Sequence, residues 1–160
     1  MTTPPGRGGG VPGRALLRLE PAAAAALIAV NDLWIKPQWP GLVAGKLSDI
    51  GICFLMPVVL FAALEWLDWA GAALRRRPLR PGGATSRTVA CVVTTVYFAA
   101  MQIFPWFAEL HESLVHSVTP WRPRPEVLAD PSDLVALVMV PVAWLYLKRF
   151  GPEALRESDE

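Results

Sequence analysis

The sequence predicts an all-α fold, an integral membrane four-helix bundle with both termini cytoplasmic. Three observations carry that expectation. Only 18% of residues are charged, against about 25% in a soluble domain, and mean hydropathy is +0.36. From Thr88 to Ala108 there are 21 consecutive uncharged residues, and about 20 suffice to cross a hydrocarbon core of ~30 Å. The basic residues also alternate along the chain as they do in a protein threaded through a membrane.

The elements follow in order. Residues 1–14, MTTPPGRGGGVPGR, are rich in Pro and Gly without apolar periodicity, and are expected to form a disordered tail. A cleaved secretory signal fits poorly, because Glu20 and Pro21 interrupt the apolar run behind it. A four-helix transmembrane domain is expected over 15–150. Its first span, about 16–35, is Ala-rich, which suits close approach of helix backbones. The second, about 42–69, has an uncharged centre from Ile50 to Leu64. Lys46 and Asp49 mark one of its interfaces; Glu65, Asp68, Trp66 and Trp69 mark the other. The third span is about 88–108 and the fourth about 131–148, with a charged cytoplasmic tail at 151–160.

Charge sets the direction. Arg7, Arg14, Arg18, Arg75, Arg76, Arg77, Arg80, Arg87, Lys148, Arg149 and Arg156 fall on one side of this threading. Lys36, Lys46, Arg122 and Arg124 fall on the other. Basic residues mark the cytoplasmic side, so residues 33–45 and 109–132 are expected outside the cell membrane.

This threading gathers polar residues at the extracytoplasmic end. Asn31 and Asp32 end the first span; Lys46, Ser48 and Asp49 begin the second; Gln102 lies late in the third; Asp130 and Asp133 begin the fourth. An ionised side chain costs ~2.5–3.5 kcal/mol at mid-membrane on insertion scales, and opposite charges around a polar cavity lower that cost. The expected site is therefore an outward-facing polar pocket lined by Asp32, Lys46, Asp49, Asp130 and Asp133, with Asn31, Ser48 and Gln102 beside them. Plainer roles compete. Lys46 and Asp49, at i and i+3, share one helix face and neutralise each other there. DPSD reads as a helix start, with Asp130 as N-cap and Pro131 at the first helical position.

Other motifs are weak. His111 and His116 in HESLVH are five residues apart and do not share a helix face, so no metal site and no cofactor is expected. Cys53 and Cys91 lie in apolar runs and should pack rather than bridge. Arg122 and Arg124, in a Pro-rich loop, could meet an anionic headgroup or pair with Glu126. The basic RRRPLR run beside a span suits topology and anionic lipid, and no nucleic-acid partner is implied.

The combination NDLWIK, GKLSD and DPSDLVAL resembles a group of small bacterial polytopic membrane proteins with GKLSD and DP-S/T-DL signatures, over residues 27–148. The chain is more loosely similar to the VanZ-like family of small membrane proteins, some linked to glycopeptide resistance. In that resemblance Lys46 matches the family's lysine, Gln102 its later glutamine and Asp133 its late aspartate. Gly45 replaces the leading acid, and Leu137 stands where the family carries Asn. The resemblance implies architecture more than mechanism.

The expected function is recognition of a polar headgroup or cell-wall-linked molecule at the extracytoplasmic end. Membrane lipid is the expected neighbour, and a homo-oligomer is compatible with the fold. A membrane enzyme acting on a lipid-linked substrate, a small ion or proton transporter, and a scaffold without a site are the alternatives. No catalytic motif singles out an enzyme.

Overall fold

A computed structural model describes residues 11–39, 41–76, 82–121 and 129–150. Among these residues the chain is helical, with no strand. Of the expected tail, residues 1–10 lie outside the described residues. Its end is ordered, since residues 11–14 lead into a 3-10 turn, Arg14–Leu17, whose Ala15 is fully buried.

Helix α1 (Leu19–Val30) runs without interruption into a π-helical turn (Asn31–Ile35) and a short α2 (Lys36–Gln38). α3 (Leu42–Arg75) is the long central helix and packs against α1, α4 and α6. It absorbs Pro57, which is buried. Interior prolines are tolerated in membrane helices because neighbours re-satisfy the freed carbonyls. α4 (Ala84–Ile103) and α5 (Pro105–Val118) follow, and a 3-10 helix (Pro131–Val138) continues into α6 (Met139–Lys148). Pro141 cannot donate the α-type bond to the carbonyl four residues back, and Met139 N–H bonds to Ala136 in the tighter pattern.

Three helical segments are long and apolar enough to cross a membrane: Gly45–Arg75, Ala84–Ile103 and Pro131–Lys148. The segment expected as a first span over 16–35 is helical from Leu19 but is not among them. Its α-helix covers only 12 residues before Asn31 and Asp32 turn π-helical. The third expected span also ends early. Phe104 precedes a proline, which disfavours helical dihedrals, and it adopts φ −112° and ψ 104°. Pro105 then opens α5, an element not foreseen in the sequence.

The core has two parts. Phe54, Val58, Phe61, Ala90, Ala143, Tyr146 and Leu147 pack toward one end. Cys53, Cys91, Phe98, Ala136 and Val140 pack toward the other. Both cysteines are free and buried, as expected of packing residues. α1 meets α3 at Gly51, where an added Cβ would come within 2.6 Å of Ile28 and 3.4 Å of the Ala24 carbonyl. Small residues let these two backbones touch.

Candidate functional site

The eight residues singled out in the sequence fall at one end of the bundle, in two groups, with Asp49 beside the second. The first group joins the end of α1 to α3. Asn31 is fully buried, and its Nδ2 donates to Ser48 Oγ at 2.7 Å. Ser48 Oγ donates in turn to Asp32 Oδ1 at 2.6 Å. Adjacent residues on a regular α-helix point about 100° apart. The π turn that contains Asn31 and Asp32 widens the backbone locally, and both side chains reach the same hydroxyl.

The second group joins α3, α4 and the last helical segment. Lys46 Nζ meets Asp133 Oδ1 at 2.5 Å and donates to Ser132 Oγ at 2.8 Å. Asp130 caps the Pro131–Val138 helix, accepting from the Ser132 N–H at 2.8 Å. The Ser132 backbone and hydroxyl hydrogen bonds hold the Asp130 carboxyl below the usual carboxylate range. The Asp130 N–H donates to Gln102 Oε1 at 3.1 Å, and Gln102 is buried. The polar atoms of α4 and of the helix start thus satisfy each other, as buried groups must.

Asp49 adjoins the second group. It is half-buried, its side chain lies within hydrogen-bonding reach of Asp133, and it feels the charges of Asp133, Lys36 and Lys46.

The partners were not set by sequence spacing. Asp32 bonds to Ser48. Lys46 was placed opposite Asp49 on its own helix face, yet its ion pair crosses to Asp133. A long lysine reaches a carboxylate on another helix as readily as one a turn away, and sequence spacing counts only the latter. Asp133, spare for capping, is thereby given a partner. Arg122 and Arg124 lie outside the described residues.

Two cavities among the described residues have mostly apolar walls. A cleft of about 520 Å³ opens between α1, α3 and α6, lined by Ala24, Leu27, Ile50 and Phe54, with Glu20 and Arg149 at its polar edge. A second, of about 680 Å³, lies between α4 and the last helical segment beside Cys91, Val92, Val140 and Trp144. No three His, Cys, Asp or Glu residues are grouped to hold a metal ion among the described residues. His111 instead shares a 2.5 Å hydrogen bond with the Tyr97 hydroxyl.

The opposite end holds polar contacts that sequence reasoning missed. Glu65 accepts the Gly13 N–H at 2.9 Å and the Gly82 N–H at 3.3 Å. Gly13 adopts φ +77°, and a side chain there would come within 2.9 Å of the Trp66 ring nitrogen. Tyr146 donates its hydroxyl to the Ala15 carbonyl at 2.6 Å. Arg87 is 3% exposed, with its guanidinium 4.8 Å from the Trp144 ring centre. Read along the sequence, Arg87 is one more loop cation and Glu65 an interfacial acid.

Comparison with known proteins finds no matching family model, curated protein or solved structure. The site must be read from its own chemistry.

Proposed function

We propose that this is a four-span protein of the cell membrane with cytoplasmic termini, whose cluster around Lys46, Asp49 and Asp133 recognises a polar headgroup or a cell-wall-linked molecule on the extracytoplasmic side. The first span in this reading, expected over 16–35, is the helical run that extends from Leu19 to Gln38, about 30 Å long at 1.5 Å per residue. The resemblance to VanZ-like and related small bacterial membrane proteins points the same way.

One observation carries the reading. An ion pair joins two separate candidate spans near one end, Lys46 on one and Asp133 on the other, with a further acid, Asp49, beside it. Intramembrane ionisable groups are costly and mark sites more often than they mark packing. Acids outnumber cations here, with Asp32, Asp49, Asp130 and Asp133 around Lys36 and Lys46. That balance favours a ligand presenting an amine or another hydrogen-bond donor to Asp49. Lys46 is already held by Asp133 and Ser132, so an anionic ligand would have to displace one of them.

A second reading rests on the same pair: the cluster is a clamp that closes the bundle, because its members bond to one another. Asp49→Asn separates the two. It keeps size and removes a charge while leaving the Lys46–Asp133 ion pair in place. Under the recognition reading, the variant melts like the parent in detergent but loses at least tenfold in binding of phosphatidylethanolamine or a lipid-linked peptide in nanodiscs, and cells lose any protection from a glycopeptide. Parent protein that binds neither probe, with no change in glycopeptide tolerance, ends the recognition reading and leaves the clamp.

A further inference from the structure

The α5 helix carries a feature that the polar cluster does not explain. At about 100° per residue, its side chains divide into three sectors. Trp106, Leu110, Leu114 and Val118 form one stripe, and all four are between 47% and 69% exposed. Phe107, Ala108, His111 and Val115 form the adjacent sector, buried or half-buried. Glu109, Ser113 and His116 form the third, exposed sector, which lies opposite the seam between the other two.

Two contacts fix this rotation. The Tyr97 hydroxyl bonds His111 Nδ1 at 2.5 Å, and the Tyr97 ring meets Phe107 edge-on at 5.3 Å between centres. Tyr97 and His111 each stand seven residues from Phe104, so α5 folds back beside roughly the last 10 Å of α4. The apolar stripe therefore continues the exposed apolar surface of a candidate span, through Ile103 and Phe104. Its one polar interruption, Ser117, turns its hydroxyl back to the Leu114 carbonyl at 2.7 Å. Trp121 beyond the helix, and Trp34 and Trp39 at the same end of the bundle, are exposed as well, as in the tryptophan belt of a membrane interface.

We infer that α5 is an interfacial helix: the occupant of the Trp106–Leu110–Leu114–Val118 stripe is the headgroup–acyl boundary of the leaflet on the side of the polar cluster. The polar sector then faces water, the Tyr97 sector faces the bundle and the stripe faces lipid. An amphipathic helix of this kind seats its apolar face ~5–10 Å into the boundary, the depth that the Tyr97–His111 contact allows. The inference rests on the membrane setting of α4 and not on what the polar cluster binds.

The test is a set of single cysteines at 106, 109, 110, 113, 114, 116 and 118 in the full chain, spin-labelled and reconstituted in vesicles of phosphatidylethanolamine and phosphatidylglycerol. Cys53 and Cys91 are buried at 0% and 8% exposure, so labelling favours the new thiols. Collision with oxygen, which concentrates in hydrocarbon, is compared with collision with a water-soluble nickel chelate. The oxygen-to-nickel ratio is expected to be several-fold higher at 106, 110, 114 and 118 than at 109, 113 and 116. Free access of the nickel reagent to 110 and 114 overturns the inference. So does dipolar broadening between labels at those positions, which would put a second copy of the chain on the stripe. Should the variants at 110 or 114 fail to fold, those at 106 and 118, near the helix ends, give the same reading.

Discussion

The two ends of the bundle solve the same problem with different chemistry. At the end that holds Lys46 and Asp133, charged and polar side chains from different helices bond to one another. At the end that holds Glu65 and Tyr146, side chains bond to backbone groups of the chain's own turns and cations rest on aromatic rings. The first arrangement places a net negative charge where a ligand could use it. The second ties the Arg14–Leu17 turn onto α3 and α6 and the start of α4 onto α3, rests Arg14 and Arg87 on rings, and keeps one inter-helix pair, Arg149 with Glu20. Side-chain networks between helices can be re-partnered; backbone amides held by one carboxylate have no other role.

Replacing Lys46 by Met should produce the largest loss of melting temperature within the polar cluster. It strands Asp133 beside Asp49 and Asp130, and breaking one half of a buried or half-buried pair costs more than removing both. Lys46→Met with Asp133→Leu should therefore recover part of the loss. Equal melting of the single and double variants would show that the pair is not coupled.

The opposite end should yield next. Glu65→Ala removes a charged acceptor from two backbone amides, and such hydrogen bonds contribute ~1.5–3 kcal/mol each at most. A loss of about 3 kcal/mol, with faster proteolysis near Gly13, is expected in detergent unfolding. Resistance to proteolysis equal to the parent's would mean the turn is held by other contacts.

Gly51→Leu tests the seam between α1 and α3. Overpacking there should cost about 2 kcal/mol and disturb the Asn31–Ser48–Asp32 chain one turn away. Tyr146→Phe is smaller, about 1 kcal/mol for one buried hydrogen bond to the Ala15 carbonyl.

The smallest effect concerns pH. The folded state holds the Asp130 carboxyl below its usual value through the Ser132 hydrogen bonds. That stabilisation is complete above the unfolded value of about 3.9 and disappears as pH falls through the lower folded value. Thermal melts of the parent should therefore weaken below about pH 4, and Asp130→Asn should flatten that slope.

Much of the polar end was legible in the sequence, and the reason is specific. A polar or ionisable residue inside an apolar run stands out by contrast, so Asn31, Asp32, Lys46, Asp49, Gln102 and Asp133 could be named before their partners were known. The DPSD cap on Asp130 was legible too, because a cap is a local contact over two residues. The partner choices were not, since Lys46–Asp133 spans 87 residues and spacing carries no information at that range. Glu65 and Arg87 were invisible for the opposite reason. They lie at the edges of apolar runs, where charge is expected, and nothing in one dimension distinguishes a solvated arginine from one stacked on Trp144.

α5 shows the same divide inside one element. HESLVH drew attention to its histidines as ligands, while the i, i+4 recurrence of Trp106, Leu110, Leu114 and Val118 was divided between the end of a span and the outer segment 109–132. Its separate existence depends on Pro105 breaking the helix at Phe104, and its orientation on the contacts of Tyr97 with His111 and Phe107.

By itself, the sequence determined the all-helical character and the apolar runs long enough to cross a membrane. Length, hydropathy and charge order are one-dimensional, and burial energy follows them directly. The tertiary structure alone decided which acid takes Lys46, that Asn31 and Asp32 share one hydroxyl through a π turn, and that α5 folds back on α4. Those outcomes depend on the rotation of each helix about its axis and on contacts between residues far apart in the chain.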